Sequence, residues 1–146
     1  MINIRDYKNL KLIDVAKYER SKEGKAYPKG CSLIQISATN GEVGYLEKEG
    51  EVDKKYAVVI PNKDINPKYL NIVIKRNIQH FISKYQAGLN IQINDLKHIN
   101  IQLHNRETQN MIAEHVETME QEEENIKKEI DALTKTKSRF LRDLLV

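Results

Sequence analysis

A catalytic or metal centre needs several reactive side chains at set spacings, and the histidines and the lone cysteine are where one would show. His80, His98, His104 and His115 give no HxH or HxxxH pair, so the sequence offers no metal site. Cys31 follows Gly30 in a strand-like run with no acid or base motif beside it, and it reads as a buried small apolar residue. Gly41-x-x-Gly44 lacks both the third glycine and the strand-to-helix setting of a nucleotide loop; a hairpin turn accounts for it. No catalytic residue and no cofactor is expected. The chemistry left is that of a surface. Lys22, Lys25 and Lys29 share a polar loop with Tyr27, while Lys75, Arg76 and Lys84 lie along the polar side of a helix. Such groups contact phosphates, and Arg76 also suits guanine edges. Gln35, Ser37, Thr39 and Asn40 cluster at a strand and turn, where short polar side chains reach base edges. Solvated surface and ordinary turn chemistry would select the same residues.

These side chains need elements to hold them. Leu10 to Glu19 has the spacing of a short amphipathic helix, with Leu12, Val15, Ala16 and Tyr18 inward. Arg20 to Gly30 reads as a loop. Cys31 to Ser37 alternates as a strand, Asn40-Gly41 marks a tight turn, and Val43 to Leu46 and Tyr56 to Ile60 are further strands. Tyr69 to Tyr85 is a helix with Leu70, Val73, Ile74, Ile78, Phe81 and Ile82 inward, closed by Gly88. Ile91 to Ile93 and Ile99 to Leu103 read as strands, and Asn105 as the cap of a long helix. The expected fold is α+β: one small mixed domain over residues 1–104, then a coiled-coil helix over 105–146.

That helix is the most patterned part of the chain. Ile112, Val116, Met119, Ile126, Ile130, Leu133, Phe140 and Leu144 recur at steps of three and four, without an intervening Gly or Pro. Position a of the heptad holds Val116, Glu123, Ile130, Lys137 and Leu144, and position d holds Ile112, Met119, Ile126, Leu133 and Phe140. Parallel pairing would stack Glu123 on Glu123 and Lys137 on Lys137. An antiparallel register sets Ile112 against Leu144, Val116 against Phe140, Met119 against Lys137, Glu123 against Leu133 and Ile126 against Ile130. It also brings Lys127 near Lys127 and Glu129 near Glu129, but those flanking pairs are exposed and weak. The expected state is an antiparallel homodimer.

Bulk properties agree with a surface-acting protein. The 146 residues are 40% hydrophobic and 31% charged, with no apolar run long enough to span a membrane. One cysteine allows no internal disulfide, and the cytoplasm is the expected compartment. Residues 1–104 carry 17 basic and 11 acidic side chains, a net +6, while residues 105–146 carry 7 and 10, a net −3. A basic head on an acidic stem suits a polyanion-binding module carried by a protein-binding helix.

Several motifs occur together in a particular order. They are Leu12-x-Asp14-Val15-Ala16, then Pro28-x-Gly30-Cys31-x-Leu33, then Asn66-Pro67-Lys68-Tyr69-Leu70. Ile91 to Lys97 and Ile99 to Leu103 come next, then Gln109-x-x-Ile112-Ala113 and Leu141-x-x-x-Leu145. The Asn66-Pro67-Lys68-Tyr69 stretch echoes the Asn-Pro-Pro-aromatic motif of amino-methyltransferases, but Lys68 breaks it and no glycine-rich cofactor loop accompanies it. Taken in order, the motifs resemble the specificity subunit of type I restriction–modification systems. That subunit usually carries two target-recognition domains and two spacer helices; this chain has one of each and looks like half of it. The resemblance implies a non-catalytic reader of double-stranded DNA. It implies docking to a modification methyltransferase subunit, with a restriction (translocase/nuclease) subunit as a further partner. A second reading is a coiled-coil adaptor or restriction-interfering protein that pairs with such subunits without reading DNA.

Overall fold

Ala57, Val58 and Val59 form an unbroken apolar run with no solvent exposure, which demands cover on both faces and a neighbour on each edge. The computed structural model, which describes residues 2–145, supplies all of these. In chain order the elements are β1 (Lys8–Lys11), α1 (Leu12–Val15), β2 (Ala16–Arg20), β3 (Ala26–Tyr27), β4 (Ser32–Gln35), β5 (Val43–Tyr45), β6 (Gly50–Glu51), β7 (Tyr56–Pro61), α2 (Pro67–Tyr85), a 3-10 turn (Ile93–His98), β8 (Asn100–Leu103) and α3 (Arg106–Leu144). The main sheet runs β2-β7-β4-β5, antiparallel throughout, with β7 inside it. Two short ribbons, β1 with β8 and β3 with β6, complete the head.

The α2 face made by Tyr69, Leu70, Val73, Ile74, Ile78 and Phe81 belongs to the main core, together with Ile34, Ile36, Ala57 and Val59 of the sheet and its flanks. Val58 points the other way, into a smaller cluster with Tyr27 and Cys31. Burial raises the Cys31 thiol pKa above its ordinary value.

Two expected elements change. The helix expected over Leu10 to Glu19 shrinks to the single turn α1, flanked by β1 and β2. The reason is β7: without β2 on its edge, the peptide groups of the buried Ala57–Val59 run would lose half their partners. The strand expected at Ile91 to Ile93 is absent. Ile91 gives one hydrogen bond, from its N–H to the Ile36 carbonyl at 2.9 Å, and the chain then winds into the 3-10 turn. Ile93, Leu96 and Ile99 recur every third residue, the repeat of that turn rather than of a strand.

The contacts divide the chain into two units, Met1–Ala113 and Glu114–Val146. The first therefore includes the opening turns of α3. Asn105 caps that helix through its side-chain oxygen, which accepts from the Thr108 N–H at 2.9 Å. Gln109 locks it to α2: its Oε1 accepts from the Asn66 N–H at 2.9 Å and its Nε2 donates to the His104 carbonyl at 2.8 Å. Asn66 in turn caps α2 by accepting from the Tyr69 N–H at 3.0 Å, with Pro67 at the first helical position. The echo of a methyltransferase motif is thus a helix cap. Ala113 lies in the core and Ile112 is half-buried against it.

In the second unit, Met119, Ile126, Ile130, Leu133, Phe140 and Leu144 are each more than half exposed. No helix among the described residues is long and apolar enough to cross a membrane.

Candidate functional site

The expected surface residues fall into three places on the head. In the loop before β3, Lys22 and Lys25 both turn to Glu19 of β2, at 3.4 Å and 2.5 Å. Tyr27 is fully buried; its hydroxyl donates to Glu19 at 2.9 Å and accepts from the Lys22 N–H at 3.1 Å. The loop is therefore tied down by one carboxylate, which offsets one of the two lysine charges. Lys29 is exposed.

The Lys25 hydrogen bond, then those of Tyr27 and Lys22, hold the Glu19 pKa at about 2 against an ordinary 4.5. A depressed carboxylate pKa gives stability that is complete above the unfolded value and is lost as pH falls through the folded one. Glu19→Gln should therefore cost about 1 kcal/mol at pH 7, the scale of a partly exposed pair. That deficit should shrink between pH 4.5 and pH 2. Urea unfolding of both proteins at several pH values measures it; a deficit that persists unchanged at pH 2 would contradict the pairing.

On α2, Lys75, Arg76 and Lys84 are exposed. Lys84 borders a groove that it shares with Lys11, His80 and His98, residues far apart in sequence. Rings stack through it: Phe81 on Tyr85 at 4.9 Å and Tyr85 on His98 at 5.2 Å, while the Lys11 ammonium donates to Asn100 Oδ1 at 2.5 Å. No carboxylate lines the groove, which suits phosphate oxygens. Lys11 and His98 carry no signal in the sequence, since only the fold brings β1 and the 3-10 turn beside α2, on which His80 itself lies.

The third place is the polar turn after β4. Gln35 Nε2 donates to the Ser37 and Ala38 carbonyls at 3.1 and 3.0 Å, and the buried Thr39 accepts from the Gly41 N–H at 3.1 Å. These two side chains build the turn. Asn40 is exposed and accepts from the Glu42 N–H at 3.1 Å. Ser37 Oγ accepts from Arg20 at 3.2 Å. Arg20 is not among the expected residues: the sequence reads it as the first residue of a polar loop, and only pairing with β7 extends β2 through it. Among the described residues no cluster of three or more His, Cys, Asp or Glu side chains is arranged to hold a metal.

The family model for the type I restriction modification DNA specificity domain matches residues 1–135. Among solved structures, the chain resembles the S subunit of a type I restriction–modification system from M. genitalium, with a TM-score of 0.72 at 15% identity. The match covers 86% of this chain and 42% of that one. A chain from a study of complex assembly and conformational transition of the type I R-M system matches with a TM-score of 0.70 at 15% identity, over 88% of this chain and 42% of that one. The HsdS subunit from Thermoanaerobacter tengcongensis matches with a TM-score of 0.62 at 15% identity, over 84% and 39%. The chain thus spans about two fifths of the length of these solved relatives, and at this identity the likeness is one of fold. No curated protein matches it.

Proposed function

Since the chain belongs to the family of type I restriction modification DNA specificity domains, we propose that it is a DNA-reading half-subunit that completes itself by pairing with a second copy. The observation that carries this reading is the stripe from Met119 to Leu144: six large apolar side chains, each more than half exposed, on a helix of 39 residues. A stripe at heptad spacing is stable only against another helix. An antiparallel partner copy supplies one and separates two heads, each reading one half-site. In this reading the protein is not itself a catalyst. It presents DNA to a modification methyltransferase subunit, and a restriction subunit joins the same assembly.

Residues 1–104 carry a net charge of only +6, so DNA binding by the chain alone should be weak and salt-sensitive and should tighten when the methyltransferase is added. Lys75→Glu with Arg76→Glu tests the α2 surface. Affinity should fall on every duplex sequence by a factor on the order of fifty at 0.1 M salt, and the slope of log affinity against log salt should drop by about two. Fluorescence anisotropy over a salt series reads both. Unchanged binding would remove α2 from the DNA surface.

A further inference from the structure

Two loops close one end of the main sheet and are fastened to each other by their backbones. Residues 36–42 come after β4, and residues 86–92 come after α2. The Thr39 N–H donates to the Leu89 carbonyl at 2.8 Å, and the Ile91 N–H donates to the Ile36 carbonyl at 2.9 Å. Between them, the Ala38 N–H donates to Asn90 Oδ1 at 3.0 Å. Ala38 sits at φ 50°, a left-handed conformation that costs a residue with a side chain about 1 kcal/mol or more, and the surrounding bonds hold it there. The turn is thereby fixed in an unfavourable shape, beside a cleft of about 230 Å³ lined by Arg20, Ser37, Asn90, Gln92 and three isoleucines.

Arg20 enters this cleft from the end of β2, and its hydrogen bonds are informative. Nε donates to the Lys54 carbonyl at 3.3 Å and Nη2 donates to Ser37 Oγ at 3.2 Å. Those two groups form the side edge of the guanidinium, which is planar and carries its donors in a fixed fork. The end edge, made of Nη1 and the second hydrogen of Nη2, has no protein partner, and no carboxylate pairs with Arg20 among the described residues. The side chain is exposed yet held at two points, so little rotamer freedom remains to be lost on binding. Two parallel N–H groups from an arginine end edge match the O6 and N7 acceptors of guanine in the major groove.

We propose that Arg20 reads a guanine in each half-site, and that the strained turn at Ala38 and its zipped neighbour exist to hold that edge in place. This rests on the reading of the chain as a DNA recognition domain. A phosphate would also accept from this edge, and charge alone would not distinguish the two. Arg20→Lys does: it keeps the charge and loses the paired edge.

The experiment is selection from a random duplex library by the full-length chain, wild type beside Arg20→Lys and Arg20→Ala, with urea unfolding as a check that the head is intact. The wild type should enrich a motif with a required guanine in each half. Both variants should unfold as the wild type does and keep the remaining positions, but lose preference at that base by roughly ten- to a hundredfold. Arg20→Lys should keep the salt slope of non-specific binding. An unchanged motif in both variants would overturn the proposal. So would uniform weakening by Arg20→Ala that lysine restores, because that marks a phosphate contact. A wild type that binds duplexes without enriching any motif would overturn the reading of the chain itself.

Discussion

Replacing Ile126 and Ile130 with Asp is expected to convert the protein to monomers. In the antiparallel register these two residues face each other across the two-fold axis, so the double substitution puts four carboxylates at the centre of the seam. Burying an unpaired carboxylate costs several kcal/mol, and neighbouring like charges add to it. The dissociation constant should rise at least a thousandfold, on the order of 4 kcal/mol or more. Both side chains are more than half exposed in the isolated chain, so the head should be untouched and its urea unfolding unchanged. Sedimentation equilibrium across a wide concentration range reads the outcome. A wild type that stays monomeric at high concentration, or a double variant that still pairs, would refute helix-mediated dimerisation.

The second large effect concerns spacing. Duplicating residues 127–133 adds one heptad, keeps the a/d phase, and repeats the apolar Ile130 and Leu133 rather than removing any. Each helix lengthens by about 10.5 Å, at 1.5 Å per residue. Two identical heads related by a two-fold axis read identical half-sites in opposite orientation, so an interrupted palindrome is the expected target. Its unread spacer should grow by about three base pairs, given roughly 34 Å per ten base pairs, while the half-sites stay the same. Sequencing the methylated sites in cells that carry the chain with its methyltransferase would show both parts. An asymmetric bipartite motif would mean that the partner helix comes from a different specificity protein. A short uninterrupted site, or a spacer indifferent to the added heptad, would sink the half-subunit reading.

Elements are legible in the sequence where their causes are local. Helix α2 is readable because its cap, its Pro67 and its inward stripe all lie within one segment. The stripe of α3 is readable for the same reason. Strand β2 is not, because the helical spacing of Leu12, Val15 and Ala16 is real for one turn, and only pairing with β7 makes the next five residues extended. Arg20 is hidden for another reason: it reads as the first residue of a loop, and its partners Ser37 and Lys54 lie 17 and 34 residues away. Of the surface groups, the polar turn shows through its composition. Composition cannot say that Gln35 and Thr39 build that turn, nor that Lys22 and Lys25 share one carboxylate. The Gln109-x-x-Ile112-Ala113 motif is visible as a pattern but acquires its meaning from Asn66, 43 residues earlier.

The zipped loops also bear on how such a protein changes over generations. Thr39 to Leu89 and Ile91 to Ile36 are main-chain links, indifferent to the identity of the side chains that carry them. The exposed side chains of Leu89 and Gln92 have no part in those links and stand on a frame that does not depend on them. Substitutions there leave the core and the fastening intact and fall in the range of ordinary surface changes, within about 0.5 kcal/mol. A lineage can therefore sample new outward residues one at a time without passing through unfolded intermediates. In a protein that reads DNA through this end of the head, preference for a sequence becomes a trait that drifts cheaply, while the scaffold that presents it stays under tight constraint.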